Sequence, residues 1–141
     1  MPYRKLSNKS SGPKATAWKW FSLYIRLRDA LATTGSPEYC RCITCDVVKP
    51  SKDIQAGHMI PGRTGGILFD ESIVFGQCST CNEEGNGERQ AFKRVMVERN
   101  GIEWYEMKEQ ARHTATKLGD FECKLIADEY RKKYKALKGK A

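Results

Sequence analysis

The 141-residue chain has no apolar run approaching 18 residues, so it offers no transmembrane helix. Its first stretch, MPYRKLSNKSSGPK, is basic but lacks the apolar segment of a signal peptide, so a cytoplasmic location is expected. No internal repeat is evident, which argues against a solenoid. Histidine is scarce: His58 and His113 are the only two. Acids are missing from both ends, residues 1–16 and 131–141.

The remaining composition is that of a folded chain. A 40% hydrophobic content argues against wholesale disorder, and the length suits one domain with a modest core. The formal charge is +8. A polyanion is the expected partner, nucleic acid first and an acidic membrane surface second. The surplus has an address. Arg4, Lys5, Lys9 and Lys14 lie in the acid-free start, and Arg131, Lys132, Lys133, Lys135, Lys138 and Lys140 in the acid-free end. The segment between carries a net −2. Basic ends suit a sequence-independent grip on phosphates, and an acidic middle suits capture of a divalent ion.

Six cysteines in a reducing compartment are a poor disulfide framework. Cys42 and Cys45 form one C-x2-C pair, and Cys78 and Cys81 form another. Each pair can chelate from one tight turn, and two pairs complete a tetrahedral thiolate site for structural Zn2+. Cys40 is an alternative partner, although C-x-C is a poorer chelate. Cys123, alone in a helical pattern, reads as a small buried apolar residue.

Four regions follow along the chain. Residues 1–16 read as a flexible basic arm and 17–36 as a helix ended by Thr33, Thr34, Gly35 and Pro37. Residues 37–92 hold the zinc-stabilised unit, with a short strand from Ile54 to Ile60 carrying His58 and a Pro/Gly loop after it. Residues 93–141 form a helical tail with a basic end. One helix is expected from about Glu88 to Asn100, a second from Ile102 to Ala115, and a third capped by Asp120. The fold class is α+β. Trp18, Trp20 and Trp104 sit in helical patterns and read as core or interface residues, and His113 as structural or phosphate-facing.

The text between and around the cysteine pairs carries the chemistry: Ala56-Gly57-His58, a Pro/Gly loop, then Gln77-Cys78-Ser79-Thr80-Cys81-Asn82-Glu83-Glu84. A histidine at a strand end, followed by C-x2-C-Asn, resembles the HNH (ββα-metal) nucleases. That resemblance implies a treble-clef-like core. Hydrolysing a phosphodiester needs a deprotonated water and neutralisation of the charge that develops. A neutral His58 can take the proton near pH 7. Asn82 is the expected ligand of a catalytic Mg2+ or Mn2+, with Glu84 or Glu83 helping. Asn82 suits a helix cap equally well.

With the flanks added, the order Tyr24-Ile25-Arg26-Leu27-Arg28-Asp29, Cys42-Ile43-Thr44-Cys45, Ala56-Gly57-His58, Phe69-Asp70-Glu71 and Gln77-Cys78-x-x-Cys81-Asn82 is similar to the phage NinG recombination proteins. The short catalytic stretch is also similar to phage endonuclease VII resolvases. The NinG resemblance implies a structure-specific DNA endonuclease acting on branched recombination intermediates. The expected DNA contacts are Arg26, Arg28, Arg63, Lys93 and Arg94. A homodimer through aromatic helix faces is an expectation, since symmetric junctions suit two active sites. Two departures from the HNH pattern stand out: Gly57 replaces the usual Asp before the histidine, and Ile73 falls where an Asn steadies the His loop. A backbone carbonyl is expected to orient His58 in its place. The other readings are a non-catalytic zinc module that binds nucleic acid, and a structural partner protein docking through its tail.

Overall fold

The computed structural model describes residues 12–61, 65–113 and 117–141. Helix α1 spans Pro13–Thr34. Proline is pre-set for the first helical turn, where its missing N–H costs nothing, so the helix starts at Pro13 rather than Ala17. Residues 13–16, expected in the arm, are therefore helical, and 1–11 lie outside the described residues. Gly35 ends α1 in the left-handed region (φ 76°), and its N–H donates to the Leu31 carbonyl at 3.0 Å. Ala17, Phe21 and Ile25, four apart, form the fully buried stripe.

Strand β1 (Tyr39–Arg41) pairs antiparallel with β2 (Val48–Pro50), and the first cysteine turn lies between them. A short 3-10 turn, Ser51–Asp53, leads into β3 (Ile54–His58). The connecting loop contains a four-residue helix, α2 (Gly65–Leu68), before β4 (Val74–Cys78). β3 and β4 are antiparallel, with Ile54 opposite Cys78 and His58 opposite Val74. The strand expected to reach Ile60 stops at His58, because Met59 and Ile60 turn into the core. After a π-type turn, Thr80–Glu84, come α3 (Arg89–Asn100), α4 (Ile102–Ala111) and α5 (Asp120–Lys140). Asp120 is not the cap it was expected to be. It is the first helical residue, Gly119 holds the cap position, and no side chain caps the end. α4 stops at Ala111, short of the expected Ala115, and residues 114–116 lie outside the described set.

The architecture is mixed α+β, with two small antiparallel sheets and helices around them. α5 lies along α1, where Ala17, Ala127 and Cys123 bring the backbones close and Cys123 is buried as expected. Further along, Phe21 meets Tyr130 at 4.8 Å, Tyr24 meets Tyr130 at 5.5 Å and Trp20 meets Tyr134 at 6.0 Å between ring centroids. The aromatic faces expected to join two copies are thus in contact within one chain.

Polar ties hold the helices to the β3–β4 unit. Asp29, 6% exposed, accepts the Gly76 N–H at 2.7 Å and two guanidinium bonds from Arg28. Arg28 also donates to the carbonyls of Glu71 (2.8 Å) and Val74 (2.7 Å) and lies over the Phe75 ring. Asp70 and Glu71 act as tethers. Asp70 accepts from Lys108 of α4 at 2.9 Å, and Glu71 accepts from Tyr130 (2.7 Å) and Lys133 (2.9 Å) of α5.

Candidate functional site

Two features adjoin on the β3–β4 unit, a cysteine cluster and a cleft. The sulfurs of Cys42, Cys45, Cys78 and Cys81 all lie within 4.8 Å of one another. Cys42 and Cys45 come from the turn after β1, which Asp46 (φ 64°) closes with Cys42 N–H donating to Val47 O at 2.9 Å. Cys78 ends β4, and Cys81 sits on the turn that follows. A tetrahedral zinc with bonds of about 2.3 Å places its sulfurs about 3.8 Å apart. The Cys45 and Cys78 sulfurs are 3.7 Å apart, so the donor set fits zinc. Burial pushes the Cys42 thiol up. The Thr44 hydroxyl and backbone bonds from Cys78, Cys45 and Thr44 more than offset this and bring it to about 7. Cys40, the alternative ligand, stands outside the cluster. Burial first, then the Asp29 charge, raises its thiol to about 11, and it packs against Gly76.

The cleft, about 450 Å³, runs between α1, the β3 edge and the turn after β4. His58 lines it from the last position of β3. Its Nε2 lies 3.0 Å from the Leu68 carbonyl, which can only accept, so Nε2 carries the hydrogen and Nδ1 the lone pair of the neutral ring. The backbone carbonyl expected to replace the missing Asn is thus present. Ile73 contributes its own carbonyl to Met59 N–H at 2.8 Å. The Trp18 indole lies nearly parallel to the imidazole, 5.4 Å away at 15°.

Asn82 also lines the cleft, on the π-type turn rather than at the head of an α-helix. Its Nδ2 donates to Gln55 Oε1 at 2.7 Å, and Gln55 Nε2 donates to Glu83 at 3.1 Å. Glu84 is exposed and is not among the lining residues. The cleft carries Arg26, Lys52 and Arg89, and among the described residues no Asp or Glu lines it. Hard dications take oxygen donors, carboxylates above all. Two carboxamides, one of whose oxygens already accepts from the other, and a serine hydroxyl among three cations do not fit a resident Mg2+ or Mn2+. The acidic balance of residues 17–130 is therefore not the charge of the cleft.

Gly57 has a structural cause. A Cβ there would collide with the carboxamide oxygen of Gln77, a fully buried side chain. Gln77 Nε2 donates to Thr44 Oγ1 (3.1 Å) and to Gly87 O (2.9 Å), linking the first cysteine turn to the loop after the second. An Asp at position 57 has no room.

Of the expected DNA contacts, only Arg26 lines the cleft among the described residues. Arg28 is committed to the network around Asp29. Lys93 of α3 lies over the Tyr105 ring of α4, Arg94 is exposed on α3, and Arg63 lies outside the described residues. Sequence reasoning missed Arg89, Lys52, Gln55 and the place of Trp18. A signal existed for one: Trp18, Ser22 and Arg26 recur every four residues, which puts them on one face of α1.

A family model described as Bacteriophage Lambda NinG protein matches residues 3–140. Protein ninG of Salmonella phage P22 is 31% identical over 98 residues, covering 69% of this chain and 47% of that relative. The chain thus matches about half the length of this curated relative. No solved structure matches the chain.

Proposed function

The chain belongs to the NinG family, and on that footing we propose that it is a DNA endonuclease that cuts branched recombination intermediates at the His58 cleft. The observation that carries this reading is the fixed imidazole. One nitrogen is tied to a backbone carbonyl, one face is covered by an indole, and the ring opens on a cleft with three cations. β3, β4 and the following turn also sit beside a four-thiolate site suited to Zn2+.

In the proposed step a water attacks phosphorus while Nδ1 of His58 takes its proton. The P–O bond to the leaving sugar oxygen breaks, and that oxygen takes a proton from solvent. Cations around the cleft offset the charge on the phosphoryl oxygens. The imidazolium that forms faces the Trp18 ring, and such a contact is worth about 0.5–2 kcal/mol. The zinc site holds the two cysteine turns in place and takes no part in the chemistry.

Four-way junction, flap and linear duplex DNA, each incubated with purified protein with and without added Mg2+ or Mn2+, test the reading. Cleavage of a branched substrate in preference to the duplex is expected. Intact DNA in every arm would leave the second reading, a zinc module that binds nucleic acid without cutting it. Gly57, Ile73 and the acid-free cleft are the observations in its favour.

A further inference from the structure

Arg89 has no counterpart in the motif that pointed to His58, yet two features hold its side chain at that histidine. Its Nη1 donates to the His58 carbonyl at 2.6 Å. Its guanidinium also lies over Gly87: a Cβ there would stand 3.0 Å from Cζ, 3.2 Å from Nη1 and 3.3 Å from Nε. Gly87, at φ 88°, occupies the left-handed region that favours glycine. Its N–H donates to the Cys81 carbonyl at 2.9 Å and its carbonyl accepts from buried Gln77. The second cysteine turn therefore sets Gly87, and Gly87 leaves the space that Arg89 fills beside the cleft.

Arginine carries five N–H donors, and one is used on the His58 carbonyl. The same cleft is lined by Arg26, which holds the Ser22 carbonyl through Nε at 3.2 Å, and by Lys52 on the 3-10 turn. Among the described residues no lining residue is acidic. This is a pocket for an anion. We propose that Arg89, with Arg26 and Lys52, is the phosphate-binding face of the cleft and grips the nucleic-acid backbone beside His58 without a divalent ion. The inference rests on reading this cleft as the DNA site, and it assigns to fixed guanidinium groups the charge neutralisation that a metal supplies elsewhere.

Binding is measured with the zinc-loaded full chain carrying His58→Ala, so that cutting does not intervene, by anisotropy of a labelled four-way junction at fixed ionic strength. Affinity is expected to stay within about twofold when Mg2+ is added, and Arg89→Met to weaken it about tenfold and lower the salt slope by about one. Arg89→Lys should recover part of the loss. Gly87→Ala should weaken binding in the same direction, because its Cβ crowds the guanidinium. Lys52→Met, on an exposed turn, serves as the variant least able to disturb folding and should cost about threefold. Affinity within twofold of the parent for both Arg89→Met and Lys52→Met would overturn the proposal, as would binding that appears only with Mg2+. These outcomes are separable from the endonuclease reading. Arg89-dependent binding by a protein that never cuts defeats that reading alone. His58-dependent cutting with Arg89-independent binding defeats this inference alone.

Discussion

The cysteine cluster and the His58 cleft lie side by side but are built differently. The cluster draws on two short turns, each carrying two ligands three residues apart. The cleft draws on α1, the 3-10 turn, β3 and the residues just after it, the turn after β4 and the start of α3, with one to four residues from each. The first is a local device duplicated, and each half can form before the other is found. The second exists only once the whole unit has assembled. A scaffold metal can therefore come from a compact motif, whereas a substrate cleft depends on long-range packing.

The largest expected effect breaks the cluster. Cys78→Ser should lose the metal and unfold the β3–β4 unit, since zinc binding in small modules is part of the folding free energy, about 10–16 kcal/mol apparent in zinc-finger peptides. Metal analysis should give one zinc per wild-type chain and none for the variant. Cys40→Ser should keep its zinc, and loss of metal from both would redraw the ligand set.

Next comes the tie between α1 and β4. Asp29→Ala leaves Arg28 without its carboxylate and Gly76 N–H without an acceptor, so it should cost about 3 kcal/mol in urea denaturation. A loss below about 1 kcal/mol, the range of an exposed ion pair, would mean that this network does not hold the helix to the sheet.

Trp18→Leu is a smaller perturbation, and it keeps an apolar side chain against Phe21 and Phe69. It removes the ring that faces the imidazolium, so the His58 titration followed by NMR should move to lower pH by about half a unit, the lower end of a cation–π contact. Zinc content should not change. An unmoved titration would make the stacking a packing contact only.

The smallest effect is the pH dependence of the tethers. Burial raises the Asp70 and Glu71 carboxyls, but Ser72 and Lys108 on the first, and Tyr130 and Lys133 on the second, outweigh it and hold both below the ordinary range. A depressed carboxyl binds its proton less readily folded than unfolded. Its contribution is complete above the ordinary carboxyl value and is lost as pH falls through the folded one. Melting temperature should drop on acidification below about pH 4, and Glu71→Gln should flatten part of that drop. Lys133 is raised chiefly by its bond to Glu71, so its share is lost at the alkaline end instead.

Much of the fold was legible because it follows local rules. Thr33, Thr34 and Gly35 marked the end of the first helix, Asn100 marked the end of another, and the paired cysteines marked their own cluster. The misses share a cause. Arg28 reads as a surface cation until the Glu71 and Val74 carbonyls claim it. Glu84 follows Asn82 in sequence, but the turn points the chain so that Glu84 is exposed away from the cleft lining. Arg89 has no motif at all. Its position depends on the left-handed bend at Gly87 and Glu88, and no local pattern says which strand that bend will face.

The most direct test is the single-turnover cleavage of a four-way junction by wild type and by His58→Ala, each with one zinc per chain. If His58 is the base, the variant should cut at least about a hundredfold more slowly, the scale of a lost general base. Equal rates at equal zinc content would contradict the account and move the chemistry out of this cleft.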